Sequence, residues 1–225
     1  MRTPLIVVNF KTYPHVEGEG AVKLARICEK VANDTGVEIV VCPPMVELSK
    51  VAGEVDIPVF SQNADFPGGK ASTGATSLAA IKAAGGSGTL INHSEKRLKL
   101  ADIGQLVEKA REMGLETIVC SNDSSVSKAV AALNPDFVAM EPPELIGGDI
   151  SVTSADPAIV EETVRSVGEI DPDMRVLTGA GVKNGEDVEA ALKLGTLGVL
   201  IASGVVKADD PESVLRDLAL PMTEQ

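Results

Sequence analysis

Short runs of Val, Ile and Leu recur along the chain. Longer stretches separate them, in which apolar residues return every three or four positions. The short runs predict strands at Leu5–Asn9, Glu38–Cys42, Pro58–Gln62, Thr89–Asn92, Thr117–Cys120, Phe137–Glu141, Arg175–Thr178 and Gly198–Ile201. Runs that stay apolar without alternating belong to strands covered on both faces, as in a parallel sheet. The longer stretches predict helices. Ala21, Leu24, Ala25, Cys28 and Val31 make one apolar face. Val107, Ala110 and Met113 make a second that stops at Gly114, and Val126, Ala129, Val130 and Leu133 a third that stops at Asn134-Pro135.

Start signals sharpen three helices. Asp156-Pro157 and Asp210-Pro211 each place a capping acid before a proline in the first turn. Asn184-Gly185-Glu186-Asp187 puts acids where the helix dipole favours them. Eight strands, each with a helix after it, share 225 residues, about 28 per unit. That compact repeat predicts a single-domain α/β fold over residues 1–225, a closed (β/α)8 barrel. An open doubly wound sheet is the alternative, but no Gly-x-Gly-x-x-Gly turn follows the first strand. The Gly/Ser/Thr-rich stretch Pro67–Thr76 predicts a long loop or contact arm after the third strand.

Composition narrows the function classes. With 44% apolar and 24% charged residues the chain is not disordered. No apolar run approaches the roughly 18 residues of a membrane helix, and no secretory leader is legible at the N-terminus. A net charge of −13 without a basic patch argues against nucleic acid as a partner. Three widely spaced cysteines, Cys28, Cys42 and Cys120, and two histidines fit neither a disulfide framework nor a zinc site. We therefore expect a cytoplasmic protein with small buried thiols and no metal.

In a barrel of this kind, chemistry sits where strands end and loops begin. The strand ends offer Lys11, Asn92-His93-Ser94-Glu95, Glu141, and two Gly-rich turns, Gly179-Ala180-Gly181 and Ala202-Ser203-Gly204. Such turns after strands seven and eight expose backbone N–H groups to an anion, although they also serve as plain tight turns. Glu141 precedes Pro142-Pro143, which stiffens the loop start. It reads as a general base, or as a solvated strand-end carboxylate. His93 leads into a predicted helical turn at Ser94–Arg97, which would keep the imidazole neutral; a structural histidine is the other reading. Lys11 reads as a mouth cation or as a surface lysine. Together, lysine, neutral histidine, glutamate and an anion-binding rim suit proton abstraction beside the carbonyl of a phosphorylated substrate.

The segments Asn9-Phe10-Lys11, Asn92-His93-Ser94-Glu95-Lys96-Arg97 and Glu141-Pro142-Pro143-Glu144-Leu145-Ile146-Gly147 resemble the signatures of the triosephosphate isomerase family. The short chain, Gly179-Ala180-Gly181 and Ala202-Ser203-Gly204 are similar to its archaeal branch. The likeness runs the whole chain in order. It implies a TIM barrel that interconverts glyceraldehyde 3-phosphate and dihydroxyacetone phosphate in glycolysis and gluconeogenesis, without metal or organic cofactor. It assigns Glu141 as the proton shuttle, His93 as the carbonyl-polarising group and Lys11 as the stabiliser of the enediolate. Asn9, Phe10, Ile146, Gly147, Gly181, Ala202 and Ser203 are implied substrate contacts, with Ile146 and Gly147 in a lid. A homodimer or homotetramer is implied as well.

This sequence departs from the pattern in places. It has no tryptophan in the lid, and Gly-Ala-Gly-Val replaces Tyr-Gly-Gly-Ser after strand seven. Thr73-Gly74-Ala75 lacks the acid or histidine many relatives carry in the contact arm. Two other readings fit these residues less well. An aminoaldose isomerase barrel would want acids at the ends of strands one and five, where this chain has Asn9 and Cys120. A binding scaffold has no need of Lys11, His93 and Glu141 together.

Overall fold

The computed structural model describes residues 1–66, 71–145 and 151–223. Eight strands run parallel: β1 (Leu5–Asn9), β2 (Glu38–Cys42), β3 (Phe60–Ser61), β4 (Gly88–Ile91), β5 (Glu116–Ser121), β6 (Phe137–Met140), β7 (Arg175–Gly179) and β8 (Gly198–Ile201). Their order is β2-β1-β8-β7-β6-β5-β4-β3. One bridge between Val41 and Val59 joins the two ends, with the Val41 N–H donating to Pro58 O at 3.0 Å. That contact closes the sheet into the expected barrel.

The helices among the described residues are α1 (Glu19–Thr35), α2 (Leu48–Ala52), α3 (Leu78–Ala83), α4 (Leu100–Glu112), α5 (Ser124–Ala131), α6 (Val152–Ala155), α7 (Pro157–Gly168), α8 (Gly185–Lys193), α9 (Ser203–Val206) and α10 (Pro211–Ala219). The predicted caps form. Asp156 accepts from the Ile159 N–H, Asn184 from Asp187 and Asp210 from Ser213. The face of α1 read from the sequence is buried from Ala21 to Val31.

Strand alternation sorts the core into two layers. Leu5, Val7, Val40, Cys42, Phe60, Leu90, Ile118, Cys120, Phe137, Ala139, Leu177 and Leu200 fill the barrel. Ile6, Val8, Ile39, Val41, Val119, Val138 and Val199 face outward and pack with the helices. The three cysteines are buried. Loss of hydration pushes the thiols of Cys28, Cys42 and Cys120 above their ordinary range, so they serve as small hydrophobes. Among the described residues, no helix is long and apolar enough to cross a membrane.

Two predictions need correction. The third strand is shorter than Pro58–Gln62: Pro58 has no N–H to give, and pairing with β4 runs only over Phe60 and Ser61. Ser94–Arg97 is not helical. The Lys96 N–H closes a turn on His93 O at 2.8 Å, and helix α4 begins only at Leu100.

Candidate active site

The alternation that fills the barrel also selects what faces its mouth. Counting two residues past Val7, Ala139, Leu177 and Leu200 reaches Asn9, Glu141, Gly179 and Ala202. These four positions ring the C-terminal end of the sheet.

Lys11 follows β1 in a left-handed conformation, with φ of 51°. A lysine gains nothing from that conformation alone, so its neighbours must hold it there. The Asn9 carboxamide accepts the Lys11 N–H at 3.0 Å. The Gln62 amide donates from Nε2 to Lys11 O at 2.8 Å and to Cys42 O at 3.0 Å. One side chain thus ties the ends of three strands together. Lys11 Nζ lies 2.9 Å from Glu95 Oε2, and that hydrogen bond holds the Glu95 carboxyl below its ordinary range.

His93 is set by a second left-handed residue, Asn92, with φ of 63°. The Asn92 side chain donates to Cys120 O at 2.9 Å and accepts from the Leu98 N–H at 2.9 Å. Arg97 donates to Asn92 O at 2.9 Å. These bonds bend the chain so that the imidazole enters the mouth, 7% exposed. Its Nδ1 accepts the Glu95 N–H at 3.2 Å. A backbone N–H can only donate, so the ring proton is on Nε2. That nitrogen faces Glu141 Oε2 at 3.6 Å.

Glu141 is buried, and its Oε2 has no hydrogen-bond partner. Burial raises its pKa, against the opposing pull of His93, Cys120, Lys11 and Arg97. A buried carboxylate with one oxygen unpaired beside an N–H donor is a base held ready for a proton.

A cleft is lined by Asn9, Lys11, His93, Glu141, Gly181 and Ser203 among others. Ala180 and Gly181 both have positive φ, 80° and 73°, which swings the β7 turn across this cleft. Ala202 caps helix α9 and also lines it. A second recess shares Asn9, Lys11 and His93 and continues over Gln62, Asn63 and Glu95.

The structure brings together Asn9, Lys11, His93, Glu141, Gly181, Ala202 and Ser203. Phe10 stands apart from this group. It sits one residue past inward-facing Asn9, so its ring is fully buried in the outer core and the cleft lining does not include it. Ile146 and Gly147 lie outside the described residues. Gln62 and Asn92 were not expected to position the site. Both stand at strand ends in the sequence, but their targets lie on other strands and leave no local signal.

Comparison with known proteins agrees with this arrangement. The triosephosphate isomerase family profile matches residues 4–218. Triosephosphate isomerase of Methanocaldococcus jannaschii is 52% identical over 214 residues, 95% of this chain and 98% of that protein. The Methanoculleus marisnigri protein of the same name is 51% identical over 218 residues, 97% and 98% of the two chains. That of Methanothermus fervidus is 50% identical over 222 residues, 99% and 100%. A barrel carrying these residues at these strand ends, matched over nearly its whole length, belongs to the triosephosphate isomerase family.

Proposed function

We propose that the protein interconverts D-glyceraldehyde 3-phosphate and dihydroxyacetone phosphate through an enediol, with Glu141 as base. The unpartnered Glu141 Oε2, 3.6 Å from protonated His93 Nε2, carries this reading. Glu141 takes the proton from C2 of the aldehyde. The C–H electrons form a C1–C2 double bond, and the carbonyl pair moves to O1, which takes a proton from His93 Nε2. His93 then recovers a proton from the O2 hydroxyl, and Glu141 returns its own to C1, giving the ketone. Lys11 Nζ stabilises the negative oxygen that develops between these steps, and Asn9 orients it.

The Gly181, Ala202 and Ser203 turns receive the phosphate. Ile146 and Gly147 enter this reading from the family resemblance alone, as a lid that excludes water and limits loss of phosphate. The protein works in the cytoplasm as a homodimer or homotetramer. The assembly comes from the family resemblance, and what the structure adds is that the base of the arm after β3 is pinned by Asp65 and Thr76, which exchange backbone and side-chain bonds, both 2.8 Å. Light scattering on the purified protein tests it, and a monomer would remove it.

The activity is tested by supplying glyceraldehyde 3-phosphate with glycerol-phosphate dehydrogenase and NADH. Rapid NADH loss that vanishes in Glu141→Gln is the expected result. A folded protein without activity would overturn the reading.

A further inference from the structure

Helix α9 has four residues, Ser203–Val206, and begins at the turn assigned above to the phosphate. So short a helix cannot pair all its terminal carbonyls internally. One of them, Val206 O, takes a hydrogen bond from His15 Nε2 at 2.6 Å. His15 belongs to the β1–α1 loop, four residues past Lys11. A carbonyl can only accept, so Nε2 keeps its proton and the bond survives whether the ring is neutral or charged.

Two further contacts join the same loops. The Tyr13 ring stacks on His15, with centroids 5.9 Å apart and planes 17° apart. Lys207 Nζ, just past α9, lies 5.0 Å from the Tyr13 centroid. Tyr13 also lines the cleft beside Lys11. The backbone under His15 is fixed from below. A methyl group at Gly20 would stand 2.0 Å from His15 O, so the first turn of α1 presses directly on it.

We propose that Tyr13, His15 and Lys207 form a clasp that sets the spacing between Lys11 and the phosphate turn at Ala202 and Ser203. This rests on the function proposed above. His15 touches no reacting atom, so it is a positioning residue. It acts on substrates that bridge both loops, and a substrate without a phosphate does not bridge them.

The test compares His15→Leu with His15→Gln, whose amide can still donate to Val206 O. Kinetics are measured with glyceraldehyde 3-phosphate and with unphosphorylated glyceraldehyde. Binding of 2-phosphoglycolate is followed by tyrosine fluorescence, which reports Tyr13 alone because the chain has one Tyr and no Trp. In His15→Leu, KM for the phosphorylated substrate and Kd for 2-phosphoglycolate should rise together about fivefold, the worth of one hydrogen bond. The kcat should stay within about twofold, kcat/KM for glyceraldehyde should not move, and His15→Gln should restore both constants. Unchanged constants in folded His15→Leu would overturn the clasp, and so would an equal loss on both substrates. If His15→Leu does not fold, Lys207→Met takes the same measurements, with the same outcomes. A wild-type protein that binds 2-phosphoglycolate without isomerising would sink the proposed function, while the Kd comparison would still decide the clasp.

Discussion

Gly179 leaves open the space into which the Glu141 side chain folds: a methyl group on residue 179 would stand 2.7 Å from Glu141 Cγ and 3.0 Å from Oε1. Leu200 O closes the same space at 3.1 Å, so that methyl has nowhere to retreat. The backbone dihedrals at this position suit alanine, so the objection comes from the Glu141 side chain and the Leu200 carbonyl. Gly179→Ala should therefore fold with a loss of about 1–3 kcal/mol from overpacking. Its kcat should fall roughly 100-fold, because a base displaced by about 1 Å loses its alignment. Thermal melts and steady-state kinetics check both, and wild-type turnover would show that Glu141 works from elsewhere.

Burial holds Glu141 above the ordinary carboxylate range. The folded state therefore binds a proton more readily than the unfolded chain. The resulting penalty on stability is absent at acid pH, below the unfolded pKa, and complete above the raised folded one. Glu141→Gln removes the buried titratable group and with it the penalty that grows as pH rises, so it should melt above wild type at pH 7, and the difference should shrink as pH falls. Turnover should drop at least about 100-fold in the same variant. A melting difference independent of pH would contradict the burial argument.

Lys11→Met deletes a cation facing the mouth in a chain of net charge −13. Both turnover and affinity for phosphoglycolohydroxamate should be lost. Glu95 should titrate closer to an ordinary carboxylate, since Lys11 is the chief cause of its lowered pKa. Calorimetry and carboxyl NMR measure these, and tight inhibitor binding by the variant would remove Lys11 from the site.

Gln62→Glu sets an acceptor against two acceptors, Lys11 O and Cys42 O. The left-handed turn at Lys11 then loses its tether. Cys42 O keeps the Phe10 N–H at 3.0 Å, so the loss falls on Lys11 O and on the repulsion between acceptors, and we expect kcat/KM to fall about tenfold or more. Gln62→Met, which repels nothing, should lose less. Equal activity in the two variants would show that the amide is not what holds Lys11.

Much of this was legible in the sequence, for identifiable reasons. Strands β1, β2 and β8 match their predicted spans because unbroken Val/Ile runs and abrupt polar ends coincide there. Lys11, His93 and Glu141 were legible because each stands just past such a run. The turn at Ser94–Arg97 was misread as helix because its polar residues resemble a first turn. What decides it is Asn92, whose left-handed backbone and bond to Leu98 no periodicity reveals. The motif implies Phe10 as a substrate contact, and alternation sends its ring outward. Gln62 gave no signal, since its partners are the backbones of two other strands.

The inward and outward layers have a consequence for how this chain can change. Which side chain reaches the mouth is a matter of odd and even. Inserting one residue within β6 would carry Met140 to the mouth position and turn Glu141 toward the helices, with the hydrophobic pattern of the chain barely altered. Loops can lengthen by any number without touching that parity. Heritable variation in this barrel should therefore accumulate as indels between strands and as substitutions within them.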